Sequence, residues 1–115
     1  MTDGISGILV ETYNYGKTVA FWKALGYEIE FETDHSSGQL QHPKGGPFVF
    51  VAERAPGTPL NVQLAFGVPS PSAFVPPKSG TVVRGWEPQH WDVTEMIIAD
   101  PDNRQFAFHA PKGAK

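Results

Sequence analysis

Two stretches, His42-Pro43-Lys44-Gly45-Gly46-Pro47-Phe48-Val49-Phe50 and Asp100-Pro101-Asp102-Asn103-Arg104-Gln105-Phe106-Ala107-Phe108, superpose without gaps, and their superposition decides how the chain is read. The proline of each turn matches, and so do both phenylalanines of each following strand. Upstream, Gly7-Ile8-Leu9-Val10 lies over Gln63-Leu64-Ala65-Phe66. A pattern that returns after half a chain is the mark of a structural repeat. Each half reads as a strand, a crossover and a finish rich in hairpins, one module over about 4–54 and another over about 60–111 of a single domain.

Within the first half the signals are strong. Ile5 to Glu11 is apolar and β-branched, as a strand is. Thr18 to Leu25 sets Val19, Phe21, Trp22 and Leu25 at helical spacing, with Gly26 placed for a left-handed C-terminal turn. Tyr27 to Glu32 alternates with period two, which turns Tyr27, Ile29 and Phe31 to the core and Glu28, Glu30 and Glu32 to solvent. Ser36-Ser37-Gly38 reads as a turn, Gln39 to His42 as a strand, and Phe48 to Glu53 as another. The order is therefore β-α-β-β-β.

The second half repeats the strands but not the helix. Leu60 to Val68 reads as a strand. Pro69, Pro71, Pro76 and Pro77 then leave room for one helical turn around Ser72-Ala73-Phe74. Trp86 to His90 leads into a long strand, Trp91 to Ala99. Asp100 to Asn103 has turn chemistry: Pro101 presets φ, Asp100 caps, and Asn103 tolerates φ > 0. Gln105 to His109 closes the module, and residues 111–115 read as a frayed tail.

Composition narrows the function. A chain of 115 residues with 40% hydrophobic and 18% charged residues is globular rather than disordered. No run approaches the roughly 20 apolar residues of a membrane span, and the N-terminus has no signal-peptide pattern, so a cytoplasmic protein is expected. The absence of cysteine removes thiolate nucleophiles and zinc–thiolate sites. A net charge of −3 speaks against nucleic acid as a partner. There is no nucleophile elbow and no phosphate-cradling glycine loop.

Thr18 to Tyr27, with its Phe21-Trp22 and Leu25-Gly26-Tyr27, resembles the "FY..LGF" helix-to-strand signature of the vicinal oxygen chelate superfamily. That group holds glyoxalase I, extradiol dioxygenases, and fosfomycin- and bleomycin-resistance proteins. Trp91 to Phe108 resembles its closing motif "WG..E....DPDGN..EL", written here with Asp100-Pro101-Asp102-Asn103-Arg104. The resemblance covers nearly the whole chain. It implies an α+β fold in which two βαβββ modules curl a mixed sheet into a cup with helices outside, the second helix being shortened. It also implies a homodimer. Enzymes of the group hold a divalent metal through four side chains that point into the cup, and the repeat puts the equivalent positions at Gly7, Val49, Gln63 and Ala107. Three of these have no donor atom and Gln63 is a weak neutral ligand, so no metal and no other cofactor is expected.

Strand alternation then names the lining of the cup. Phe106 and Phe108 pack beneath the helix and turn Gln105, Ala107 and His109 inward. Met96 and Ile98 take the core, leaving Trp91, Val93, Glu95 and Ile97 toward the cup, with Gln63, Ala65 and Leu9. Gln63, Trp91, Glu95 and His109 are the expected ligand-binding residues, polar groups set in an apolar wall. Each has a plainer reading. His109 is equally an exposed residue near the C-terminus. Glu95 is equally a carboxylate paired across the strands with a lysine or arginine, or, if buried beside His109, a base. Trp86 and Trp91 serve equally as core fillers. His42 and His90 fall in turns. The reading that follows is a metal-free small-molecule binding protein of the bleomycin-resistance kind, taking a drug-like, aromatic or cationic compound. The alternative is a lyase, isomerase or dioxygenase of the same fold with a displaced metal.

Overall fold

The computed structural model describes residues 1–89 and 92–115. Its elements run β1 (Ile5–Thr12), α1 (Tyr15–Ala24), β2 (Glu28–Glu32), β3 (Ser37–Gln41), β4 (Phe48–Glu53), β5 (Val62–Gly67), a 3₁₀ turn (Pro71–Ala73), β6 (Thr81–Pro88), β7 (Val93–Ala99) and β8 (Gln105–Pro111). The architecture is α+β. The chain divides into two compact units, Gly7–Gln63 and Leu64–Lys115 with Met1–Ser6.

In the first unit β1 pairs parallel with β4, β4 antiparallel with β3, and β3 antiparallel with β2. The helix starts three residues earlier than its apolar spacing suggests. Asn14, in extended conformation, caps it by accepting a hydrogen bond from the Lys17 N–H, 3.0 Å away. Gly26, at φ +101°, turns the chain out of it into β2. Val19 and Trp22 of α1 cover Ile8, Val10, Leu40, Val49 and Val51, the apolar core of this unit.

Two expectations are corrected here. The register of β2 against β3 shifts between Ile29 and Phe31, so the period-two reading breaks at Glu30. Phe31 therefore lies on the sheet face away from α1, 6.3 Å from the ring of Phe50. In β4 the core-facing residues are Val49 and Val51, which turns Phe48 and Phe50 to the other face. In addition, Ser37 and Gly38 belong to β3 rather than to the turn before it.

The second unit repeats the strand order with different packing. Strand β5 pairs parallel with β8, β8 antiparallel with β7, and β7 antiparallel with β6. No helix covers this sheet among the described residues. The 3₁₀ turn and Phe74 stand in its place, and the core is aromatic: Phe66, Phe106 and Phe108 with Val68, Met96 and Ile98. The phenylalanines of β8 face this core, whereas those of β4 face away from theirs. Phe106 and Phe108 bring the volume that a helix supplies in the first unit, and their ring stack with Phe66 and Phe74 fills it. The gap-free repeat thus holds for the turns and slips by one residue in the strands, and a slip of one exchanges the faces.

Strand β6 is a finding, since Thr81 to Gly85 carried no strand expectation. The tail is also tied down. Ser72 Oγ donates to the Lys115 carbonyl at 2.5 Å, and the Lys112 N–H donates to the Asp92 carbonyl at 3.0 Å. The Asp100–Asn103 turn forms as read, with Asn103 at φ +65° and Asp100 Oδ1 accepting from the N–H groups of Asp102 and Arg104. Among the described residues no helix is long and apolar enough to cross a membrane.

Candidate functional site

Strands β7 and β8 place Glu95 directly opposite His109 in the antiparallel register. Met96, Ile98, Phe108 and Ala110 belong to the core, so alternation puts Glu95, Ile97, Ala107 and His109 on the opposite face. That face carries a buried ionic cluster. His109 Nε2 is 2.7 Å from Glu95 Oε2, and Arg84 Nη2 donates to Glu95 Oε1 at 2.5 Å. Glu95 and His109 have side chains 9% and 6% exposed, while Arg84 is 37% exposed and reaches the cluster from outside.

Arg84 gets there because β6 is irregular. Its register against β7 shifts on both sides of Arg84, between Val82 and Arg84 and again between Arg84 and Glu87. Bulges of this kind re-aim a side chain without ending the ladder. Arg84 Nε also lies 3.2 Å from Glu87 Oε2, at the solvent edge of the cluster.

The electrostatics follow from the bonding. Burial pushes the Glu95 carboxyl up, but the hydrogen bonds from His109 and Arg84, with their charges, outweigh it and hold the group below the usual carboxylate range. An ionised carboxylate only accepts, so the His109 imidazole donates through Nε2. A carboxylate of lowered pKa with both oxygens engaged is a poor base. The plainer reading, cross-strand pairing with an arginine, is what the structure shows; Glu95 is also buried beside His109, the condition set for a base, but its lowered pKa weakens that reading.

Of the four residues singled out in the sequence, the structure brings two together, Glu95 and His109. Gln63 is half-buried on β5 and is the last residue of the first unit. Trp91, like His90, lies outside the described residues. Trp86 packs against the aromatic core, edge-on to Phe74. Sequence reasoning missed Arg84 as a named partner. The signal was a cation within the β-branched run Thr81-Val82-Val83, which alternation would have read as a strand. His42 sits in its turn as expected, packed edge-on against Tyr27 and accepting from the Lys44 N–H.

The metal positions implied by resemblance can be tested against this geometry. Gly7 lies under the ring of Phe48, and Ala107 is fully buried. Val49 is a correction: it packs under α1, so the open-face neighbours at that point of β4 are Phe48 and Phe50, hydrocarbons also. Glu95 and His109 are oxygen and nitrogen donors of the right kind. Both oxygens of Glu95 are already committed, however, and a guanidinium already holds the position a cation would take. Among the described residues no three His, Asp or Glu side chains gather as a metal site would need. The described residues at these positions do not fit a divalent metal.

Two modules of one strand order, each closing its sheet with a first strand parallel to its last, make the fold of the vicinal oxygen chelate superfamily. Among solved structures the chain is similar to a glyoxalase/bleomycin resistance protein/dioxygenase superfamily member from Vibrio splendidus 12B01, at 15% identity and a TM-score of 0.67, over 90% of this chain and 96% of that one. It is similar also to a chain described as the NAD-dependent benzaldehyde dehydrogenase of Legionella pneumophila, at 15% identity and a TM-score of 0.64, over 91% and 97%. Likeness at such identity is likeness of fold, and neither neighbour's activity passes to this chain with it. No family model matches the chain. No curated protein matches it either.

Proposed function

We propose that the protein binds a small molecule without a metal, at the face of the β5 to β8 sheet that carries Glu95 and His109, and that the ligand is cationic, aromatic or both. One observation carries the proposal, the buried Arg84–Glu95–His109 cluster. Burying an ion pair usually costs as much as the attraction returns, and apolar residues of equal volume serve stability as well or better. If hydrocarbon would serve the fold as well, a ligand that meets the cluster through Arg84 and Glu87 explains why it is kept. Glu87 and Glu95 set two carboxylates against the one guanidinium of Arg84, and Glu87, at the solvent edge, is the carboxylate a cation would meet first. Gln63 and Trp91 join the proposal from their places in the sequence, and a homodimer in the cytoplasm is the form in which it would work.

The test is a thermal-shift titration with benzamidine, indole and benzoate on protein purified without chelator, alongside metal analysis. Benzamidine should stabilise saturably, by about 2.7 kcal/mol at a hundredfold excess over its dissociation constant. Glu87→Gln, a change at an exposed carboxylate, should weaken benzamidine several-fold and leave indole unaffected. Stoichiometric metal, or an activity that EDTA abolishes and Mn, Fe, Ni or Zn restores, would overturn the proposal in favour of a metal-dependent lyase, isomerase or dioxygenase. Indifference to all three compounds would also overturn it.

A further inference from the structure

The other face of the second unit's sheet holds an apolar pocket. Pro69, Pro71, Pro76 and Pro77 keep residues 69–80 from forming the helix that covers the first unit's sheet. The 3₁₀ turn brings Phe74 down onto Phe108, ring centroids 5.1 Å apart, and so covers one part of the face. Beside it remains a pocket of about 160 Å³ lined by Phe66, Ile98, Phe106 and Phe108, with Pro77 and Gly80 above them. Its floor is inside the protein, since Ile98 is 4% exposed and Phe108 8%.

The walls are held in place. Prolines stiffen the covering segment, and the Gly80 N–H donates to the Pro77 carbonyl at 3.1 Å. Gly80 lies directly on β7: a Cβ there would stand 3.0 Å from the Ala99 carbonyl and from Ile98 Cγ2. The opposite wall is the Asp100–Asn103 turn, closed by its own hydrogen bonds.

The chemistry of the lining selects the occupant. Water needs two to four polar partners to settle in a cavity, and apolar cavities stay dry. Of residues with polar side chains, the lining holds Ser79 and Asp100. Asp100 already accepts from the N–H groups of Asp102 and Arg104 and from Arg104 Nε at 2.8 Å, and the same guanidinium reaches Asp102 Oδ2 at 3.0 Å. The remaining lining is hydrocarbon and backbone, which suits a neutral occupant. A cavity of roughly this size lined by aliphatic and aromatic side chains accommodates one benzene ring, and a helix or strand is far too large. Phe66 and Phe106 meet at 75° with centroids 6.0 Å apart, so both a ring face and a ring edge border the space, the two contacts an aromatic guest prefers.

We propose that this pocket, separate from the ionic cluster on the opposite face, binds a neutral compound of one aromatic ring, with any polar substituent toward the exposed Ser79 at the mouth. The experiment is a titration of the whole protein with benzene and with phenol, followed by ¹H–¹³C NMR of the isoleucine methyls. The Ile98 methyl signals should move saturably with both, by the large displacement expected of a proton near a ring face. Ser79→Trp, at an exposed position, should fill the mouth and weaken both compounds by about tenfold or more. Unmoved Ile98 signals at millimolar benzene would overturn the proposal. So would saturable shifts confined to the Ile97 methyls, which would put the ring on the face of Glu95 and His109, or binding that Ser79→Trp leaves unchanged.

Discussion

Truncating Glu95 to alanine removes the one anion that joins Arg84 and His109, and the structure sets the size of the effect. Breaking a buried ion pair from one side costs about 3–5 kcal/mol, chiefly through the charge left behind. Arg84 is 37% exposed, so water reaches its guanidinium and the loss belongs near the lower end, about 3 kcal/mol. For a domain of this size, each kcal/mol is worth about 4 °C in melting temperature, giving a fall of about 12 °C. The informative variant is the triple replacement Arg84→Met, Glu95→Leu, His109→Phe, which exchanges the whole cluster for hydrocarbon. If the cluster is kept for a ligand, the triple variant should equal the wild type within about 1 kcal/mol or exceed it. Urea unfolding at pH 7, followed by far-ultraviolet circular dichroism, measures all three proteins on one scale. A triple variant as unstable as Glu95→Ala would refute the reasoning, because the cluster would then be something the fold requires.

The depressed Glu95 pKa gives a signed pH dependence. A carboxyl whose folded-state pKa lies below its unfolded value of 4.5 stabilises the fold above that pH, and the stabilisation is lost as pH falls through the lower, folded value. The stability gap between wild type and Glu95→Gln should therefore be flat near neutrality and close progressively below pH 4.5, as urea titrations at stepped pH would show; a gap that widens in acid would contradict the assignment. In the first unit, Gly7→Ala would place a Cβ 2.5 Å from the ring of Phe48 at Cγ and Cδ1, atoms that cannot yield without turning the whole side chain. It should cost about 1–3 kcal/mol by urea unfolding, and a neutral result would mean the strand pair opens more readily than its register suggests.

The sequence by itself determined what depends on neighbours along the chain. The helix was legible because α1 repeats apolar residues at its own period and ends on Gly26, and the Asp100–Asn103 turn because its residues carry their own hydrogen bonds and φ preferences. The prolines announced that the second module has no full helix. In β7 and β8, alternation placed Glu95 and His109 on one face, since Met96, Ile98, Phe106 and Phe108 left that strand pair one sensible core side. Strand alternation states only that successive residues face opposite ways. Which of the two sets is buried is decided by what lies across the sheet. Val49 and Val51 face the core because α1 packs on that side of β4, whereas on β8 the core side is the one where Phe66 and Phe74 stack on Phe108. The Glu30 irregularity that carries Phe31 to the other face, and the shifts in β6 that swing Arg84 onto Glu95, are likewise matters of register between strands. Register is set by contacts distant in sequence, and for that reason the ionic cluster became visible only in the folded chain.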